Sequence, residues 1–113
     1  MKAVNITRNR EVSGDVTVAE SLYRRMKGLL GRERLCDGES LLIRPCSSIH
    51  TIGMKFPIDV LFLDKRNVVI ALKKDLPPCR LTRIYFRSAS VLELQAGMIL
   101  LTHTRIGDEI KIA

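Results

Sequence analysis

The segment Ile58-Asp59-Val60-Leu61-Phe62-Leu63 constrains the fold more than any other part of the chain. Ile58, Val60 and Phe62 occupy one set of alternating positions, and Leu61 and Leu63 occupy the other. An extended strand sends successive side chains to opposite faces. A strand here is therefore apolar on both faces and must be covered on both, in the middle of a sheet or in a small barrel. Asp59 shares a face with Leu61 and Leu63, so its carboxylate is expected to be partly buried. A buried carboxylate must find donors, and backbone N–H groups or an arginine are the expected ones.

The other segments are short and mostly strand-like. Lys2 to Thr7 and Val12 to Val18 have the β-branched content of strands, with Ser13-Gly14-Asp15 either interrupting the second or forming a turn. Leu41-Leu42-Ile43 is short and apolar, and Asp64-Lys65-Arg66-Asn67 makes a turn into Val68 to Leu72, a hairpin. Pro77-Pro78 ends that element. Leu81 to Arg87 alternates, with Thr82, Ile84 and Phe86 on one face and Arg83, Tyr85 and Arg87 on the other. Val91 to Leu94 reads as a strand, Gly97 to Thr104 has room for one helical turn, and Gly107-Asp108 leads into Glu109 to Ile112. The main helix candidate has Ser21 as N-cap, Leu22, Met26, Leu29 and Leu30 on one side, and Gly31 placed to stop it. A capping box from Thr17 and Glu20 would start it a turn earlier. The pattern predicts an α+β domain over residues 1–113, a small curled sheet or β-barrel-like domain with one main helix.

Composition narrows the class. A chain of 113 residues, 46% hydrophobic and 27% charged, folds as a globular domain without a metal or disulfide staple. No apolar run reaches the roughly 20 residues that a bilayer span requires. The start, Met1 to Ile6, lacks the pattern of a signal segment, so the expected compartment is the cytoplasm. The three cysteines, Cys36, Cys46 and Cys79, are odd in number and widely spaced, which predicts reduced thiols. The net charge is +7, densest where Arg24, Arg25, Lys27, Arg32 and Arg34 face Glu33 alone. Such a balance attracts polyanions without specifying one, and a solvated basic face explains it equally well.

The polar residues between two apolar strands, Arg44 to Asp59, form the segment where chemistry is most expected, since long ordered loops carry sites. One catalytic arrangement makes Cys46 a nucleophile, His50 its base and Asp59 the group orienting the imidazole, with Arg44 favouring the thiolate. In an extended chain, however, residues four apart stand about 13 Å from one another, so the loop would have to fold back. A soft metal site of Cys46, His50 and Met54 needs a helix that Ile49, Thr51, Ile52 and Gly53 disfavour. The alternative to both is that Cys46 and Met54 pack while His50 and Thr51 hydrogen-bond backbone. Gly28-Leu29-Leu30-Gly31 has the spacing of a phosphate clamp, but its leucines are needed for the core. Arg83, Tyr85 and Arg87 form a thin platform for a single strand. His103 lies in a polar turn and is expected to be exposed.

Taken together, these residues resemble a known family. Arg25-x-x-Gly28-Leu29-Leu30-Gly31-Arg32, then Pro45-Cys46-x-Ser48-Ile49-His50-Thr51-x-Gly53-Met54-x-Phe56-Pro57-Ile58-Asp59-Val60-x-Phe62-Leu63-Asp64, are similar to the family called domain of unknown function 192. Val91-Leu92-Glu93-Leu94-x-Ala96-Gly97 and Gly107-Asp108-x-Ile110 match it too. The resemblance implies a small β-rich fold with one main helix, and it implies no activity. Many relatives carry signal sequences, unlike the start of this chain. Another branch has a tryptophan-methionine-lysine-asparagine-threonine string where His50 to Met54 stand, which weighs against a shared Cys/His mechanism. A tryptophan often follows the double proline in the family, where this chain has Cys79.

The expectation drawn from all of this is a non-catalytic binding or accessory domain. Its basic cleft would be formed by the Cys46 to Pro57 loop, the Pro77 to Arg80 turn and the end of the helix near Arg25. Arg25, Arg44, His50, Thr51, Asp59 and Arg80 would bind a small anionic ligand or an acidic protein partner, without metal or cofactor. The alternatives are a hydrolase or transferase using Cys46, His50 and Asp59, and a nucleic-acid or polyanion binder.

Overall fold

The computed structural model describes residues 1–113, apart from the side chain of Leu22. The described residues form eight strands and two short helices: β1 (Ala3–Asn5), β2 (Arg10–Ser13), β3 (Asp15–Ala19), α1 (Leu22–Lys27), β4 (Glu39–Ile43), β5 (Ile58–Leu63), β6 (Val69–Leu76), β7 (Ser90–Gln95), α2 (Met98–Thr102) and β8 (Ile110–Ile112). They build a three-stranded sheet, β2-β1-β8, and a five-stranded sheet, β3-β4-β7-β5-β6. Only β3 and β4 pair in parallel, as they must when a crossover through α1 joins them. The sheets meet where Val68 bridges Glu109 and the Val69 N–H donates to the Asp108 carbonyl at 2.8 Å. Neither sheet closes on itself, so the α+β class takes its curled, open form and is not a barrel.

The apolar strand β5 lies between β7 and β6, and all six of its side chains are buried. Its two faces serve two cores. Ile58, Val60 and Phe62 pack with Leu41, Ile43, Val91 and, from the loops above, Leu29, Ile49 and Met54. Leu61 and Leu63 pack with Leu42, Leu92, Ala3, Ile99 and Ile110, beneath the smaller sheet and α2. Each fully buried side chain of this size contributes roughly 1.5–3 kcal/mol, so β5 anchors the whole molecule. Its hairpin to β6 turns where the Asp64 carboxylate accepts the N–H groups of Arg66 and Val68, with Asn67 at φ 60°.

Two expectations are corrected. Ser21 does cap α1, accepting the Arg24 N–H, but the helix ends at Lys27 instead of reaching Gly31. Gly28 closes it at φ 48°, ψ −126°, a conformation that favours glycine, and Leu29 and Leu30 lie in the turn that follows. Met26 consequently faces solvent, while the expected inward side of Leu22 lies outside the described residues. The second correction concerns Leu81 to Arg87, which is not a strand: only Leu81 pairs, in a bridge to His50. Phe86 is 88% exposed, and Tyr85 turns inward with its ring centroid 4.5 Å from that of Phe62. The proposed stacking face of Arg83, Tyr85 and Arg87 therefore spends its aromatic ring on the core, with the Arg83 guanidinium 5.1 Å over it. The break expected at Ser13-Gly14-Asp15 falls at Gly14, between β2 and β3, which belong to different sheets. No helix among the described residues is long and apolar enough to cross a membrane.

Candidate functional site

Three loops cover the upper face of the five-stranded sheet, and they leave a cavity of about 650 Å³ between α1 and the chain from Pro45 to His50. Its walls are Leu29, Leu30, Ile43, Ile49 and Met54, and its rim carries Arg25, Lys27, His50 and the exposed Phe86. Cys46, Ser88 and Glu93 supply further polar atoms to its lining.

Glu93 is the residue that sequence reading passed over. It lies at the centre of β7, in register with Leu41 of β4 on one side and Val60 of β5 on the other. The pleat puts it on the same face as Val91, under the cavity, and it is 4% exposed. No hydrogen bond from the described residues reaches its carboxyl, and burial alone pushes its pKa up to about 8. At neutral pH Glu93 is mostly an uncharged acid, able to donate as well as accept. A signal was present: a lone acid between apolar neighbours of a short strand cannot avoid burial when that strand is central.

The sequence-predicted residues divide between cavity and scaffold. Arg25 and His50 line the cavity. Arg25 reaches across it to donate from Nη1 to the Pro45 carbonyl at 3.0 Å, while its Nε is buried without a partner. Cys46 also lines it, half-buried, with its thiol donating to the Ser48 carbonyl at 3.1 Å. Burial pushes the Cys46 pKa up, the opposite of what an activated nucleophile needs. Ser88 donates to the carbonyls of Cys46 and Ser90, fixing the wall beside it.

The others stand elsewhere. Asp59 faces the opposite side of the sheet, where Oδ1 accepts the Asp75 N–H at 2.8 Å and Oδ2 accepts the N–H groups of Gly97 and Ile99 at 3.1 and 2.8 Å. The sheet itself separates it from the cavity, so the Cys46, His50 and Asp59 set does not assemble around one imidazole. Thr51 is a staple: its hydroxyl donates to the Pro77 carbonyl at 2.7 Å and accepts the Arg80 N–H at 2.9 Å. That bond holds the Pro77 to Arg80 turn to the loop, but the turn does not line the cavity. Arg44 pairs with Glu20 at 3.3 Å on the surface, and the Arg80 side chain is exposed. Among the described residues, no three His, Cys, Asp or Glu side chains are grouped so as to hold a metal ion. A second cavity of about 630 Å³ opens beyond the Lys27 to Arg32 turn, where Arg32 and Glu39 already engage each other in a two-pronged pair at 2.7 Å.

The comparisons with known proteins agree with this architecture. A protein of the UPF0127 group from Thermococcus sibiricus is 29% identical over 95% of this chain and 71% of its own length. A solved structure of a protein of unknown function from Novosphingobium aromaticivorans shares the fold with a TM-score of 0.86 and 19% identity, over 99% of this chain and 84% of that one. Another, from Sinorhizobium meliloti and provisionally described as a transcription regulator, has a TM-score of 0.80 and 20% identity, over 97% and 89%. The DUF192 family model, described as "Uncharacterized ACR", matches residues 4–112. The chain belongs to the DUF192 family.

Proposed function

We propose that this domain is a non-catalytic binding module for a small ligand that is apolar in its body and anionic at one end. The observation that carries this reading is the 650 Å³ cavity, which has aliphatic walls and a rim holding Arg25, Lys27 and His50. Pockets of this size with few, convergent polar groups are the usual form of small-molecule sites. The positive rim favours an anion, and an apolar body displaces water from Leu29, Leu30, Ile49 and Met54. The raised pKa of Cys46 and the engagement of Asp59 on the far face speak for binding over Cys/His catalysis. Three free cysteines agree with a reducing cytoplasm.

The test is a titration of the isotopically labelled protein with small aromatic carboxylates, read by NMR. Amide shifts clustered at Leu29, Leu30 and Cys46 to His50, weakened several-fold in Arg25→Gln, are the expected result. Shifts confined to the outer surface, or none at millimolar ligand, would sink the reading. A polyanion site would instead show as heparin retention that survives Arg25→Gln and falls steeply with salt.

A further inference from the structure

Resting on that reading, we propose that the ligand enters with a neutral amide edge leading, and that Glu93 binds that edge through a cyclic pair of hydrogen bonds. The geometry sets the requirement. Glu93 lines the cavity from the sheet side, 4% exposed, with no partner among the described residues. Its neighbours in register, Leu41 and Val60, offer no hydrogen bond from their side chains, so a molecule that fills the cavity down to the sheet can supply one.

Three kinds of leading group can be weighed. A carboxylate would oppose any negative charge on Glu93 and, although Arg25 could offset its own charge, it brings no N–H for the Glu93 carbonyl to accept. An ammonium would need Glu93 ionised, which burial resists, and would approach Arg25 as a like charge. An amide, carboxamide or lactam matches the neutral acid on both atoms: the Glu93 hydroxyl donates to the ligand carbonyl, and the Glu93 carbonyl accepts the ligand N–H. No charge is buried in that pair. The ligand's anionic end then remains at the rim with Lys27 and His50. The titratable and charged groups around Glu93 are Arg25 and Lys27 from the α1 side and Cys46 and His50 from the loop; no second carboxyl lines the cavity.

The experiment uses the full chain and three probes that share a ring and a rim carboxylate: terephthalamate, terephthalate and para-(aminomethyl)benzoate. Binding is followed by NMR shifts at the cavity and by calorimetry, from about pH 6.5 to about pH 9.5. The expected order places terephthalamate first by about tenfold, the scale of a hydrogen-bonded pair against an unmatched one. Its affinity should fall about tenfold or more towards the alkaline end as Glu93 ionises. Glu93→Gln, whose carboxamide also offers one donor and one acceptor, should keep the preference and lose the pH dependence. Glu93→Leu, which leaves an apolar sheet face, should lose the preference while ring binding persists. Cavity binding led by either other probe, or a preference for terephthalamate that survives Glu93→Leu, overturns the inference and leaves the binding reading standing. Absence of cavity shifts with all three probes overturns both.

Discussion

Asp59 and Glu93 stand on neighbouring strands, one residue out of register, and their carboxyls leave the sheet on opposite faces. Asp59 lies opposite Leu94, and Glu93 lies opposite Val60. Asp59 accepts three backbone N–H groups, whereas Glu93 accepts none from the described residues. Asp59 is thus fixed by the backbone, whereas the carboxyl of Glu93, nearly as buried, faces the cavity without a partner among the described residues.

Removing Asp59 should cost stability without touching the cavity. Asp59→Ala strips the acceptor from Asp75, Gly97 and Ile99, and two of those donors sit at the start of α2. Each orphaned donor costs on the order of 1–3 kcal/mol, partly recovered where water reaches it, so a net loss of about 2–4 kcal/mol is expected. Urea unfolding measures it. Terephthalamate binding by the folded fraction should be unchanged, and a selective loss of binding would place Asp59 in the site after all.

Glu93 should make the protein less stable as pH rises. Its folded pKa of about 8 lies above the ordinary 4.5, so the native state holds a proton that the unfolded chain releases. Stability from this group is complete below about pH 4.5 and is lost progressively as pH climbs through 8. A shift of that size corresponds to roughly 4–5 kcal/mol as an upper bound. Unfolding midpoints should therefore fall between about pH 5 and about pH 9, and Glu93→Leu should flatten the curve and raise its alkaline end. A wild-type midpoint that rises over that range would refute the assignment.

Much of the fold is legible in residue alternation, and so is part of the site. The period of two in β5 predicts both its central position and the face that Asp59 takes, alongside Leu61 and Leu63. Carried one step further, the same alternation separates Asp59 from a loop packed on the Ile58, Val60 and Phe62 face. Glu93 is hidden for a related reason: a four-residue apolar stretch shows that a strand exists but not that both its edges are paired. The helix end is misjudged because Leu29 is buried and Leu30 partly buried from a turn, and burial alone imitates helical periodicity. The loop from Leu81 to Arg87 alternates in polarity, yet it forms one bridge and no strand; the Thr82 hydroxyl accepts the Ile49 N–H at 3.0 Å and the Tyr85 N–H donates to the Ser47 carbonyl at 2.8 Å.

Asp108 should give the opposite pH response at the acid end. Burial pushes its pKa up, but hydrogen bonds from Asn5, Arg8 and the Arg105 N–H outweigh that and hold it below the usual 3.8. Its contribution is present above about pH 4 and disappears as pH falls through the lowered value. The same carboxylate ties β1 to the chain preceding β8, with Asn5 also donating to Thr104 at 3.0 Å. Asp108→Ala should cost about 2–4 kcal/mol at neutral pH, because buried Asn5 loses an acceptor and Arg8 its partner. The variant should also lose less stability than wild type between about pH 5 and about pH 2.5, a difference that urea unfolding at both values resolves.

The three thiols should react in an order set by burial and not by a shared mechanism. Cys36 and Cys79 are exposed, whereas Cys46 is half-buried, donates to the Ser48 carbonyl and has its pKa pushed up by burial. Thiolate is the reactive form, so a raised pKa and restricted access both slow alkylation. A time course with iodoacetamide at neutral pH, read by peptide mass spectrometry, should show Cys36 and Cys79 modified well before Cys46. Bound terephthalamate should slow Cys46 further, because the thiol lines the same cavity. Labelling of Cys46 ahead of both exposed thiols would mean that its thiolate is stabilised by a neighbour, and the Cys/His enzyme would return as the leading reading.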